Sequence, residues 1–225
     1  MPDKKILIVD DEEDILDLLE YNLEQEGYQV ARALDGEKAI ELAVKEKPDM
    51  ILLDIMMPKL DGIETCRRIR GLPEMDKIYI VFLTARSEEY SELAGFEAGA
   101  DDYISKPIKP RVLISRIKAI MRRELPADQE ATLKIHDLEI IKDEYLVKKG
   151  EKVLTLPRKE FELLYFMASR PGKVFRREKL LEKVWGDVYV VDRTIDVHVR
   201  KLREKIGEDY IQTIKGVGYK FLSEK

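Results

Sequence analysis

Short apolar runs alternate with amphipathic stretches through the first half of this chain. The runs are Lys5–Asp10, Gln29–Ala33, Met50–Asp54, Tyr79–Thr84 and Tyr103–Ser105, and some, such as ILIV and MILL, have no polar alternation at all. Uninterrupted apolar runs of this length predict strands of a parallel sheet covered on both faces. Between them, apolar positions return at threes and fours. Ile15, Leu18, Leu19, Asn22 and Leu23 predict one helix, and Ile40, Leu42 and Ala43 begin another. Gly27 marks a helix end and Gly36 a turn. Five strand–helix units with right-handed crossovers predict an α/β fold, a flavodoxin-like doubly wound five-stranded parallel sheet of order 2-1-3-4-5.

The pattern breaks at Glu124–Ala131 (ELPADQEA), a polar, proline-containing stretch that reads as a linker. Three segments follow: a first domain over 1–123, the linker over 124–131 and a second domain over 132–225. The second domain opens with strand-like runs (LKIHDLEI, YLVKK, KVLTL) that predict a small antiparallel sheet. Helical stretches follow at Arg158–Ser169, Arg177–Val184 and Asp192–Ile206, and the end (YIQTI-KGVG-YKFL) reads as a hairpin turning on glycine.

Composition narrows the class. The chain has 225 residues, 44% hydrophobic and 38% charged, without an apolar run near the roughly 20 residues that a membrane span needs. MPDKKILIVDD lacks the apolar core of a signal peptide. One cysteine and two separated histidines offer neither a disulfide framework nor a metal cluster. A cytoplasmic protein with no membrane partner is expected. Residues 1–123 carry 19 Lys+Arg against 26 Asp+Glu, a balance of −7, and residues 124–225 carry 21 against 19, or +2. An acidic first half suits a cation site; a mildly basic second half is compatible with nucleic acid without deciding it.

The candidate chemistry sits at the strand ends. Asp10 and Asp11 close KILIVDD, Asp54 closes DMILLD, Thr84 closes IYIVFLT and Lys106 follows DDYIS. In an open parallel sheet the carboxyl ends of the strands share one rim, so these residues meet in one crevice. Three carboxylates there call for a hard cation, and Mg²⁺ is the natural one. A hydroxyl and an ammonium beside them match the spread negative charge of a phosphoryl group in transfer. Taken singly, each residue has a plainer reading, Asp11 as a helix cap and Asp54 as a loop acid; the ensemble reads as an aspartate that accepts phosphate.

In DRTIDVHVRKLREKI, Ile195, Val199, Leu202 and Ile206 recur at four, three and four and predict the buried stripe. At 100° per residue, Val197, Arg193, Arg200, Lys201 and Thr194 fall on the far side, a basic face with the donors that read base edges and phosphates. His198 lies nearer the stripe, as a half-buried packing or phosphate contact. The helix is second in a helix-turn-helix-like pair and precedes a hairpin bearing Lys215, a context that favours DNA.

Residues 1–123 resemble the receiver domain of two-component response regulators, through the DD pair, LLDIMMP-x-x-DG, Thr84-Ala85 and GADDYISKP. The remainder resembles the winged-helix effector of the OmpR/PhoB subfamily. The resemblance implies phosphorylation at Asp54, with Thr84 and Lys106 binding the phosphoryl oxygens. It also implies Mg²⁺ held by Asp10, Asp11, Asp54 and the Met56 carbonyl, a switch through Thr84 and Tyr103, and a cis bond before Pro107. For the second half it implies DNA contacts at Arg193, Thr194, Val197, His198, Arg200, Lys201, Arg203, Thr213 and Lys215. The loop Trp185–Tyr189 is placed against RNA polymerase. The implied partners are a cognate sensor histidine kinase, promoter DNA and a second copy of the chain after phosphorylation, paired through Asp102 with Arg116 and Asp101 with Arg123. Glu92 and Val112 replace the lysine and glutamate of a third pair, and Arg111 is an alternative partner for Glu92. An aspartyl-phosphate hydrolase would place an acid where Met56 stands, and an adaptor without a DNA role would not need the basic helix. The expectation is a transcription regulator that catalyses only its own phosphorylation and dephosphorylation.

Overall fold

The structure is a computed structural model that describes residues 4–85, 89–122, 132–186 and 193–223. It divides into two compact units, Met1–Arg123 and Glu124–Lys225; the expected linker lies outside the described residues.

The first unit alternates strand and helix. It runs β1 (Lys5–Val9), α1 (Glu13–Gln25), β2 (Gln29–Ala33), α2 (Gly36–Glu46), β3 (Met50–Asp54), α3 (Gly62–Arg70), β4 (Tyr79–Ala85), α4 (Glu89–Ala98), β5 (Asp102–Lys106) and α5 (Pro110–Arg122). The strands are parallel in the order β2-β1-β3-β4-β5, as the alternation predicts. Ile6, Ile8, Leu52, Val81 and Leu83 pack on one face with Leu16, Leu19 and Leu23 of α1 and Leu113, Ile117 and Ile120 of α5. Their strand neighbours Leu7, Ile51, Leu53, Ile80 and Phe82 turn to the other face and are fully buried. Double coverage explains why these strands carry no polar alternation.

Two local expectations change. The buried stripe of α1 is Leu16, Leu19 and Leu23, whereas Leu18 is exposed. Gly36 opens α2 rather than a turn, behind Asp35, whose carboxylate accepts from the Lys38 N–H. At the amino ends of the last two strands, Arg70 gathers four acceptors. Its guanidinium donates to the carbonyls of Gly99, Met75 and Ile78 and meets Asp101 Oδ2 at 2.7 Å. The same oxygen accepts from the Ile80 N–H.

The second unit begins with the antiparallel strands β6 (Thr132–Ile135), β7 (Leu138–Ile141), β8 (Leu146–Lys149) and β9 (Lys152–Leu154). LKIHDLEI, one run in sequence, is two strands folded at His136, whose φ is 56°. Next come α6 (Arg158–Ala168), β10 (Val174–Arg176), α7 (Arg177–Val184), α8 (Arg193–Ile206), β11 (Ile211–Ile214) and β12 (Gly218–Phe221). β12 lies between β10 and β11, so the predicted hairpin gains a third strand that is too short to show in the pattern. Phe161, Leu164, Tyr165, Trp185, Ile195, Val199, Leu202 and Phe221 are fully buried in one core beneath α8.

Candidate functional site

Strand register assembles the rim. Val9 pairs with Leu53, and Asp54 with Leu83, so Asp10 and Asp54 end adjacent strands and Thr84 stands one residue beyond the Asp54 level. Asp10 is wholly buried and Asp54 nearly so. Lys106 bridges them, its Nζ 2.7 Å from Asp54 Oδ1 and 2.9 Å from Asp10 Oδ2. The other oxygens are held by backbone: Asp10 Oδ1 accepts from the Glu12 N–H and Asp54 Oδ2 from the Met56 N–H at 2.8 Å. Asp11 is exposed and is not the cap of α1; Glu12 takes that position without a side-chain bond. The peptide bond between Lys106 and Pro107 is cis.

Two carboxylates share one ammonium, and the electrostatics show the shortfall. Burial pushes the Asp54 carboxyl above its ordinary pKa, Asp10 adds to the rise, and Lys106 with the Met56 N–H offsets only part of it. Burial alone would depress Lys106, but its bonds to Asp54 and Asp10 leave it raised. Among the described residues no three acidic, histidine or cysteine side chains form a ready-made cage. Two adjacent buried carboxylates at a rim suit Mg²⁺, which takes one or two carboxylates and keeps several waters. The oxygen donors and the excess negative charge fit such an ion.

The loop after Asp54 folds back through Gly62. A Cβ there would lie 2.0 Å from the Asp54 carbonyl oxygen, and the Gly62 N–H donates to Ile55 O. Only glycine admits that approach, which holds Asp54 and Met56 at the rim.

In the second unit, α8 carries the expected buried stripe, but the buried face is wider. Thr194 is fully buried and His198 is 2% exposed, its ring 4.9 Å from that of Trp185. Lys201 reaches toward Glu160 of α6 (3.9 Å) and Lys205 binds the same carboxylate at 2.8 Å. The exposed face is narrower: Arg200 projects, paired with Glu204 at 2.9 Å, and Val197 is half-buried. On the hairpin, Thr213 and Lys215 are exposed. Arg203 donates to Ile211 O at 2.7 Å and to Thr213 Oγ1 at 2.8 Å, fastening α8 to β11. Asp196 Oδ1 accepts from Arg177 Nε at 2.7 Å and from the Tyr219 hydroxyl at 2.6 Å, joining α7, α8 and β12. Lys149 donates to Ile206 O at the carboxyl end of α8, where a cation is favoured.

Residues 6–118 match the family described as response regulator receiver domain, and residues 150–221 match transcriptional regulatory protein, C terminal. The chain is an OmpR/PhoB-type response regulator. It is 46% identical to the alkaline phosphatase synthesis transcriptional regulatory protein PhoP of Bacillus subtilis, over 99% of this chain and 98% of that one. A mutant of RitR shares the fold with a TM-score of 0.79 at 28% identity, covering 99% of this chain and 100% of that one. DrrB of Thermotoga maritima, an OmpR/PhoB homologue, gives 0.51 at 39% identity over 99% of this chain and 100% of its own. The regulator is a phosphorylation-controlled transcription regulator rather than a dedicated enzyme.

Its structure corrects several residue expectations. Thr194 and His198 are inside the regulator and present nothing to a ligand; burial, with Lys201, Lys159 and Lys205 nearby, holds the imidazole well below its ordinary pKa and so neutral. Lys201 faces α6 rather than outward. Trp185 is fully buried, so it offers no surface to a polymerase, and Asp187–Tyr189 lie outside the described residues. Asp101 is 1% exposed and bound to Arg70, and Asp102 is 2% exposed with Oδ1 accepting from the Tyr103 N–H. Both were expected to be open to a partner's arginine, yet a desolvated carboxylate takes the donors around it. Arg116 donates to Tyr103 O. Arg123 and the side chains of Glu92 and Arg193 lie outside what is described. Sequence reasoning missed Arg70, Asp196, Arg177 and Tyr219, and it quoted Gly62 in the motif without a role. Thr194, His198, Lys201 and Lys205 repeat the four-three-four spacing one residue ahead of the apolar stripe, and that offset was the available signal for a broad buried face.

Proposed function

We propose that Asp54 accepts a phosphoryl group from a cognate sensor histidine kinase in the cytoplasm, at a site that Mg²⁺ completes. The Lys106 bridge between Asp54 and Asp10 carries this reading. Asp10, Asp11 and Asp54, with the Met56 carbonyl, would hold the ion, which supplies charge neutralisation for the phosphoryl oxygens. Met56 N–H fixes the plane of the Asp54 carboxylate. Lys106 is drawn from Asp54 toward a phosphoryl oxygen, and the Thr84 hydroxyl donates to another. An ionised carboxylate is already a nucleophile, so the chain contributes position and charge rather than a base. The same groups serve in reverse when water removes the phosphate, and this self-directed chemistry is the only catalysis proposed. A small phosphodonor with Mg²⁺ should add one acid-labile phosphate, lost in Asp54→Asn; equal labelling of that variant would identify a different acceptor.

The second half is proposed to place α8 in the major groove of promoter DNA, with Val197 and Arg200 facing bases and Thr213, Lys215 and Arg203 near the backbone. Residues 187–189 are the proposed RNA polymerase contact. One winged helix covers too few base pairs for useful selectivity, and joining two makes the second contact intramolecular, worth roughly 10²–10⁴ in avidity. Phosphorylation therefore acts by favouring a receiver dimer. Arg116 and the exposed Val112 are the proposed contacts on the α4–β5–α5 face, while Asp101 is buried against Arg70. Sedimentation with and without beryllofluoride and Mg²⁺ tests this, since no rise in mass, or a rise that survives Arg116→Glu, removes the dimer from the mechanism.

A further inference from the structure

The Tyr103 ring occupies a notch in α4 that exists because residue 95 is glycine. The ring lies inward, 7% exposed, 5.3 Å from Phe82 and 4.7 Å from Phe96 between ring centroids. A Cβ on Gly95 would fall 1.7 Å from the Tyr103 hydroxyl oxygen and 2.8 Å from both Tyr103 Cζ and Phe82 Cε2. Carbon and oxygen cannot approach to 1.7 Å without a bond, and the ring is walled by two aromatic side chains, so small adjustments do not relieve the overlap. Gly95 lies well inside α4, where glycine is a poor helix former and has no positive φ to justify it. Its use there is therefore steric.

We propose that Gly95 is the positioning residue of the switch: it supplies the seat into which the Tyr103 ring turns, and it thereby sets the balance between the inward and outward ring. The link to dimerisation rests on the function proposed above; the steric claim does not. The atoms that a Cβ at 95 would strike belong to Tyr103 and Phe82, so a methyl group there should act on this aromatic cluster rather than on the rim. Because alanine favours helix over glycine, a purely structural role predicts a more stable α4 with an unchanged ring. The notch predicts the opposite sign for the inward state.

The test uses the full chain labelled with 3-fluorotyrosine, the Tyr103 resonance being identified by its loss in Tyr103→Phe. With beryllofluoride and Mg²⁺, Gly95→Ala should show a solvent-exposed Tyr103 signal and a dimer association constant lower by tenfold or more. Phosphate incorporation should stay within twofold of the parent. In the Tyr103→Ala background the same change at 95 should have little effect, because the ring it collides with is gone and Phe82 can move into the space that ring leaves. If Gly95→Ala does not fold, the double variant Gly95→Ala/Tyr103→Ala should fold, and failure of both overturns the proposal. An unmoved Tyr103 signal in Gly95→Ala, or an equal effect of the substitution with and without the ring, also overturns it. If the parent never dimerises, the reading of dimer control fails, while the fluorine signal still decides the role of Gly95.

Discussion

Asp54 Oδ1 lies 2.7 Å from Lys106 Nζ, although 52 residues separate them in sequence. This bond favours the ionised phosphoacceptor, yet it does not balance the site, because burial opposes it and Asp10 leans on the same ammonium.

The first prediction follows from that imbalance. Folding raises the Asp54 pKa, so the ionised form is disfavoured in the native state at neutral pH. Asp54→Asn should raise the Tm at pH 7 in metal-free buffer, and the gain should shrink as the pH falls through the carboxylate range, where the parent carboxyl protonates. Thermal unfolding at pH 7 and pH 4 measures both. A gain that grows on acidification has the wrong sign for this account.

Removing the ammonium should expose the need for a cation. Lys106→Ala leaves Asp10 and Asp54 buried without their shared donor, a loss of about 1–3 kcal/mol. A bound divalent ion takes over that charge, and saturation to 100 Kd adds about 2.7 kcal/mol. The Mg²⁺-induced rise in Tm should therefore be larger in Lys106→Ala than in the parent. Equal shifts in the two proteins would place the ion elsewhere.

On α8, the neighbours Arg200 and Lys201 should separate reading from support. Arg200→Ala is expected to cost about 1–3 kcal/mol on the preferred DNA site and to relax preference there. Lys201→Ala should lose about 1 kcal/mol of stability, since its charge faces Glu160, and should leave the specificity ratio unchanged. Competition binding with random DNA, beside denaturant titration, distinguishes them. Lost selectivity in Lys201→Ala would return that side chain to the DNA face.

Tyr219 predicts an alkaline limit for the second unit. Burial, with the bond to Asp196, raises its phenol from 10.0 to about 12. A raised pKa means that the native state favours the protonated phenol. The stabilisation is complete below pH 10 and is lost as pH rises toward 12. Tyr219→Phe should flatten this part of the stability profile, and Asp196→Asn should move it to lower pH. A parent profile flat between pH 9 and pH 12 contradicts the assignment.

The receiver fold and its rim were legible because buried parallel strands advertise themselves by unbroken apolar runs, and topology alone brings their ends together. Asp10, Asp54 and Lys106 needed no more than that. The second unit was less transparent. The three residues of β10 are too few to show a period, and Thr194 and His198 are polar residues buried by the breadth of the interface around Trp185 and α6. Helical angle ranks side chains by direction, whereas burial depends on how many elements surround the helix. Asp101 was placed on the dimer face by resemblance alone, and its bond to Arg70, 31 positions earlier, leaves no mark in the local pattern.

Arg70 also decides where the receiver can bend. By gripping Gly99, Met75, Ile78 and Asp101 together, it rivets β4 and β5 at their amino ends. A strand clamped at one end behaves as a cantilever, with its travel confined to the tip. Thr84 and Lys106 are those tips. A pull exerted there would meet strands fixed at their far ends, and would turn into sideways tilt of the tips rather than lengthwise sliding.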